Sequence, residues 1–480
     1  MLSFSMSTMS VRRTYIINGL LLILNIHIIF ILGQSIGILD SSNEFFQIAG
    51  SNDNPTVTAI YIVGCIPIIA NSIAKGYHRK YMIILLIASL ISIIALECRT
   101  AYIGLFVEVV AYIIFNDKTR SAIKEKLCRN KILYLFLLML VMSATAKMYY
   151  MKKDSADGRL LIWRLSAEMI ADKPLGHGYG QYERTYNLFQ SEYFTNEIST
   201  ESERQNAGHV ITAYNDYLEH GVEGGIIGMA FIVCFYAISV RKAFKQKRFV
   251  ELSILSAYAV MSLTNFIVAT VQPWLLVGCV CALLQSPIDN NSSEANFKYS
   301  RAMAVTLFTL IGIFTYKTIR MTTAQISLCR IRQAINMGVF INDNEFSKIE
   351  HNIGSSEAFW NVRAENALNS KHVEKALSFT LKASTYTSAP QVYYNLGELN
   401  RILGRQKESI RYMRILSNML PNRLYPKFAL LKLYANNNDI ASALAYAKAI
   451  IACIPKVESD LSNRIQREAS IYIKNHNQRE

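Results

Sequence analysis

Three groups of residues in this 480-residue chain combine types and spacing suited to anion and proton chemistry. The first is Arg99, in the turn Glu97-Cys98-Arg99-Thr100-Ala101 between two apolar stretches. A guanidinium stays charged and grips phosphate oxygens through two parallel N–H bonds, so an arginine at a membrane-level turn suits a diphosphate. The alternatives are a side chain that snorkels to the interface, or a pair with Glu97. The second group runs from Arg159 through Trp163 and Arg164 to Pro174, Gly176, Gly178 and Gly180. Arg159 is either a phosphate ligand or a solvated charge at a helix start, and Arg164 with Glu168 has the spacing of a surface pair. The glycine triplet permits tight turns or close backbone approach to a ligand. No strand precedes it, so a dinucleotide fingerprint is excluded. The third group holds His209, Tyr214, Asn215, Asp216, His220 and Glu223. Histidine is the natural general base near neutral pH, and His209 stands close to Asn215. His177 and His220 are the other histidines of the same stretch.

The second group and most of the third lie in the polar segment 151–220. Loops beyond about 15 residues are usually functional or disordered. Trp163, Tyr179, Tyr182, Tyr186, Phe189, Tyr193 and Phe194 argue for order. Around this segment the chain is 51% apolar and 18% charged, with its apolar residues in blocks. Nine spans are expected, near 14–33, 57–75, 81–97, 100–116, 131–148, 222–240, 251–270, 273–288 and 302–318. Every second connection is basic: Arg12 and Arg13, Arg79 and Lys80, the cluster 118–131, then 241–248. Segment 34–56 has no Lys or Arg, and 151–220 has 7 against 11 Asp and Glu. Cytoplasmic loops collect positive charge, so the N-terminus is expected in the cytoplasm and both 151–220 and the C-terminal part outside it. The same rule accounts for the net charge of +15 without nucleic acid. The eight cysteines include no CxxC pair, which argues against zinc and dithiol chemistry.

From about residue 325 the composition is that of a soluble domain with a 34-residue period. Trp360, Tyr394 and Phe428 repeat at that spacing, as do Val362, Leu396 and Leu430, and Pro421 and Pro455. Helical periodicity at this repeat length predicts stacked helix pairs of tetratricopeptide type, with Gln391–Leu403 and Lys407–Leu420 as one pair and Gly404 at its turn. The expected organisation is a transmembrane domain over 1–320, carrying an outer loop at 149–221, and a repeat domain over 325–480.

Taken in order, these pieces resemble the O-antigen ligase family over roughly residues 80–240. Cys98-Arg99-Thr100-Ala101 is similar to the family's arginine turn. Arg159 to Trp163 running into Pro174 to Gly180 is similar to its arginine–tryptophan helix and glycine loop. Asn215 to Leu218 before Glu223-Gly224-Gly225-Ile226-Ile227-Gly228 is similar to its re-entry segment. The family's histidine directly before the asparagine is Tyr214 here, which leaves His209 as a candidate to take over. The resemblance implies an all-α membrane bundle of GT-C-like kind in the bacterial inner membrane, with its repeats in the periplasm. It implies transfer of a glycan from undecaprenyl diphosphate to a hydroxyl acceptor, inverting the anomeric centre without metal or cofactor. The acceptor would be lipid A core or another glycan. Arg99, Arg159 and Arg164 would hold the diphosphate; His209, Tyr214 and Asn215 would form the catalytic end, with the glycines and Glu223 shaping the loop. The alternatives are an O-antigen or exopolysaccharide polymerase and, in another class, a non-enzymatic scaffold whose repeats bind periplasmic proteins.

Overall fold

A computed structural model describes residues 13–115, 153–196, 199–285, 297–455 and 458–477. All regular structure among them is helical. The span expected near 131–148 lies outside the described residues. The chain forms two compact units that are not continuous in sequence. One comprises 1–152, 213–221 and 226–310; the other comprises 153–212, 222–225 and 311–480.

The first unit contains α1 (Arg13–Ser35), α2 (Pro55–Ala74), α3 (Arg79–Ala95) and α4 (Arg99–Phe115). After the polar segment come α8 (Asp216–Lys245), α9 (Phe249–Met261) and α10 (Val271–Gln285). Its core is largely apolar: Leu24, Tyr61, Ile62, Cys65, Leu255, Tyr258 and Leu276 are fully buried. Buried hydroxyls find backbone acceptors, Tyr61 on the Leu20 carbonyl at 2.9 Å and Tyr258 on that of Ile60 at 3.1 Å. The outward faces are apolar too. Leu22 and Ile29 on α1, Ile84 and Ile91 on α3, and Ile227 and Phe231 on α8 are all exposed. Helices apolar on every side belong in lipid. By length and composition α1, α2 and α8 can each cross a bilayer. This is an integral membrane protein.

Several boundaries depart from the sequence expectation: the helices expected at 222–240 and 302–318 run on to Asp216–Lys245 and Phe297–Asn336, and another is cut short. The span expected at 251–270 is helical only to Met261, about 20 Å of rise, which is short of the hydrocarbon thickness. Residues 262–270 instead form a loop. The cause is Asp216, 2% exposed, whose carboxylate accepts from the N–H groups of Ile267 at 3.0 Å and Val268 at 3.2 Å. Its own N–H donates to the Ser262 carbonyl at 2.8 Å. Backbone groups captured by a buried carboxylate are lost to the helical ladder.

The second unit contains α5 (Lys153–Asp172), α6 (Tyr182–Tyr193) and α7 (Glu201–Asn206), all from the polar segment. It also contains the helix pairs α13 (Glu357–Asn369) with α14 (Val373–Ala383), α15 (Pro390–Ile402) with α16 (Gln406–Met419), and α17 (Leu424–Asn436) with α18 (Ile440–Ala452). α12 (Asp343–Ile353) precedes them and α19 (Asp460–Asn477) follows. A 40-residue helix, α11 (Phe297–Asn336), leads in. The pair expected at 391–403 and 407–420 is present with each boundary one residue earlier. Each pair turns through a left-handed residue, Lys371 at φ 61°, Gly404 at φ 72° and Asn438 at φ 59°. Within a pair the helices close in tightly: a Cβ on Gly397 would meet the Met413 side chain at 2.7 Å.

The polar segment packs onto these repeats. Glu183 on α6 accepts from the Ser388 N–H at 3.1 Å, the Ser388 hydroxyl at 2.8 Å and the Thr387 hydroxyl at 3.1 Å. Arg184 donates to the Ser384 carbonyl at 2.9 Å, Gln190 to that of Met419 at 2.8 Å, and Ser191 to that of Ile415 at 3.0 Å. Asn422 reaches back to the Gln205 carbonyl at 3.0 Å. Ser388 and Gln190 are fully buried, so these bonds cannot be exchanged for water without opening the unit. Replacing Glu183 by Ala strips several charge-assisted bonds and strands buried donors, for an expected loss of about 3 kcal/mol. Limited proteolysis of the purified chain should then cut near Thr195 faster than in wild type.

Candidate active site

The site residues fall into two sets, one in each unit. In the first unit, Arg99 opens α4 and is half-buried. The next residue, Thr100, is buried and accepts from the Asn265 amide at 3.2 Å, with the Thr264 hydroxyl 3.4 Å away. Asn215 is the N-cap of α8: its side-chain oxygen accepts from the N–H groups of Tyr217 at 3.0 Å and Leu218 at 3.1 Å. Tyr214 adopts φ 50°, and its ring stands 5.7 Å from that of Phe266, edge to face. Through Asp216, the helix start holds the same 262–270 loop that Asn265 ties to the arginine turn. Two groups far apart in sequence thus converge on one loop. Thr264 and Asn265 lie in a stretch read as a span, so residue type alone gave no reason to single them out.

In the second unit the glycine loop closes on α8's broken turn. The helix bonds of α8 are interrupted at Gly225, with φ 68° and ψ −165°. The Val222 and Glu223 carbonyls accept from the N–H groups of His177 at 2.8 Å and Gly178 at 2.9 Å. The Glu223 carboxylate accepts from the N–H groups of Gly180 at 2.8 Å and Tyr182 at 3.2 Å. Gly176, Gly178 and Gly180 all have positive φ, at 86°, 103° and 76°. A Cβ on Gly176 would stand 2.4 Å from the Glu223 carbonyl oxygen. Gly176 thus makes its close approach to the chain's own backbone, while Gly180 faces open space.

Arg159 lies half-buried on α5, one turn before half-buried Trp163. Arg164 is engaged inside the segment. Its Nη2 meets Glu203 at 2.6 Å and the Tyr193 hydroxyl at 2.8 Å, while Glu168 is 3.8 Å away. The partner that matters is Glu203 rather than the expected i,i+4 neighbour, and the arginine fastens α7 to α5. His209 Nε2 lies 2.6 Å from Glu183, so the candidate base is held by the carboxylate that also holds Ser388. His177 lies with Nε2 3.4 Å from the Met169 carbonyl, and His220 is half-buried on α8. Among the described residues no cluster of His, Cys, Asp and Glu has metal-binding geometry.

Burial opposes ionisation of Glu183, but the hydrogen bonds from His209 and Ser388 outweigh it and hold the carboxyl below its ordinary value of 4.5. A carboxyl depressed by folding contributes stability that is complete above its unfolded pKa and is lost as pH falls through the folded one.

The arrangement is that of a membrane protein whose arginine turn, arginine–tryptophan helix and re-entry helix come in a fixed order. The profile of the O-antigen ligase family matches residues 84–233, a stretch that includes Arg99, Arg159, His209, Asn215 and Glu223. Over that stretch, less than half of the chain, the sequence is similar to the O-antigen ligase family. No curated protein and no solved structure gives a significant match.

Two outcomes follow from this geometry. Gly176→Ala should lower thermal stability by about 2–4 kcal/mol, because it adds a backbone clash to a left-handed φ, whereas Gly180→Ala meets open space and carries only the φ cost. Thermal unfolding of the two variants in detergent measures the difference. Wild-type stability should also fall with pH below about 4.5, and Glu183→Gln should flatten that dependence.

Proposed function

We propose that the chain is a glycosyltransferase that moves a glycan from undecaprenyl diphosphate to a hydroxyl acceptor during surface polysaccharide assembly. The observation that carries this reading is the O-antigen ligase match, whose limits take in all three groups of candidate residues. Arg99 and Arg159 are assigned to the diphosphate, since Arg164 is occupied by Glu203. Their charge stabilises the leaving group as the bond between the anomeric carbon and the phosphate oxygen breaks. The acceptor hydroxyl attacks that carbon from the opposite face, which inverts it and releases undecaprenyl diphosphate. Its proton passes to His209, whose Nε2 is set by Glu183 and whose Nδ1 is the basic atom. Asn215 shapes this end by capping α8. Ligase and polymerase share this chemistry and differ in acceptor, lipid A core for one and a growing glycan for the other.

The reaction is placed at the periplasmic face of the bacterial inner membrane. The alternation of basic loops supports that side for the segment 151–220. Packing within the second unit supports it for the C-terminal part, because a segment hydrogen-bonded to the repeats shares their side of the bilayer. The repeats, read as tetratricopeptide-like, then serve to hold the catalytic segment. Their bonds to α6 favour this role over recruitment of a separate periplasmic protein.

Arg99→Ala and Arg159→Ala, each expressed in a deletion strain, should lower transfer at least about 100-fold with protein levels unchanged, and Lys at either position should restore little of it. Surface polysaccharide resolved on gels is the measurement, and wild-type levels from both alanine variants would refute the transferase reading. His209→Ala compared with Tyr214→Phe separates the base from the residue at the family's histidine position.

A further inference from the structure

Glu108 lies in the middle of α4, in the first unit, and is 3% exposed. Among the described residues neither of its carboxyl oxygens has a hydrogen-bond partner. It lines a cavity of about 260 Å³ between α2, α4 and α9. The walls are apolar, with Ile66, Pro67, Leu105, Val109, Ile113 and Val250 among them. Three other polar residues line it: Asn71, Tyr112 and Ser253. None carries positive charge, and the Ser253 hydroxyl is already donated to the Phe249 carbonyl. Ala70, Ala74, Val109 and Tyr112 on its rim are exposed, so among the described residues the cavity opens sideways between α2 and α4.

A lone carboxyl in such a place has nothing to offset its charge once ionised, and an ionisable side chain within a membrane helix marks a functional site unless a partner is at hand. Among the described residues none offers a cation to this carboxyl, and the cavity has room for one and presents apolar walls to whatever bears it. We infer that this cavity binds a primary ammonium group carried on an apolar body, which enters from the bilayer and pairs with Glu108. Two sources share that chemistry: the ethanolamine headgroup of a membrane phospholipid, and a small lipophilic amine. This site is separate from the diphosphate reading, since Glu108 stands nine residues beyond Arg99 on α4 and takes no part in transfer.

The test uses the full chain in lipid nanodiscs and 1-adamantylamine as the probe, with the neutral 1-adamantanol as its isosteric control. The amine should bind at least about ten-fold more tightly than the alcohol, and Glu108→Gln should erase that preference, as expected for loss of one charge-assisted hydrogen bond. A hydrophobic carbodiimide supplies a second readout on unmodified protein. It adds the Glu108 carboxyl oxygen to its central carbon and takes the acid proton on nitrogen, leaving an adduct seen by peptide mass spectrometry. Bound amine should protect Glu108 from that adduct. Nanodiscs of phosphatidylethanolamine give protection without added amine if the lipid headgroup is the occupant, and nanodiscs of phosphatidylglycerol do not. Equal affinity for amine and alcohol, or carbodiimide labelling indifferent to the amine in both lipids, would overturn the proposal. Ala70→Trp, which fills the cavity and leaves the carboxyl in place, should abolish amine binding too. Retained binding in that variant would place the probe elsewhere and count against the site.

Discussion

Much of the second unit turns on a single carboxylate. Glu183 is bonded to His209 on one side and to Ser388 and Thr387 on the other. Its partners on the repeats lie about two hundred residues away in the sequence. Charge-assisted bonds of this kind are each worth about 1.5–3 kcal/mol, and here they close around a group only partly open to water. Burial disfavours the ionised form, yet the donors around it prevail. The polar segment is therefore ordered by contacts made outside itself. A carboxylate that fixes an imidazole and is itself fixed by a second domain couples the order of that domain to the candidate base.

The sequence showed what is periodic. The 34-residue spacing of Trp360, Tyr394 and Phe428 located the one bounded helix pair, 391–403 with 407–420, to within one residue, because repeating units meet repeating demands of packing. The apolar blocks revealed a helical membrane protein for the same reason. The motif order around Arg99, Arg159 and Asn215 pointed to the family that the match over 84–233 supports. Contacts between distant segments left no such trace. Nothing in Thr387-Ser388 announces that it will receive Glu183, and a hydroxyl beside a helix start usually serves that helix. The 262–270 loop was hidden because hydropathy does not register a carboxylate that removes N–H groups from a helix. Glu108 was passed over inside an apolar run, where one charge hardly alters the average.

The glycine triplet carries a related lesson. Gly176, Gly178 and Gly180 read as tight turns or a close approach to a ligand, and all three have positive φ. The amides of His177, Gly178 and Gly180 are directed at Val222 and Glu223, whose carbonyls and carboxylate accept them, while that of Gly176 donates to the Lys173 carbonyl. Gly225 supplies the break in α8 that frees those carbonyls from the helical ladder. Loop and broken helix are complementary halves of one lock, and glycines on both sides let two backbones come within bonding distance.

The placing of α6 has a consequence for how the molecule is made. Its polar face, with Gln190 and Ser191, is completed by the Ile415 and Met419 carbonyls of α16. Those carbonyls leave the ribosome long after the segment that needs them. Until then the segment has only its local bonds, such as Asn187 to both polar groups of Val210. Contacts of such long sequence separation form late. A chain ending before the repeats would keep every residue of the O-antigen ligase match, and yet would never assemble the surroundings in which those residues are held. The packing of its polar segment is completed in the last quarter of translation.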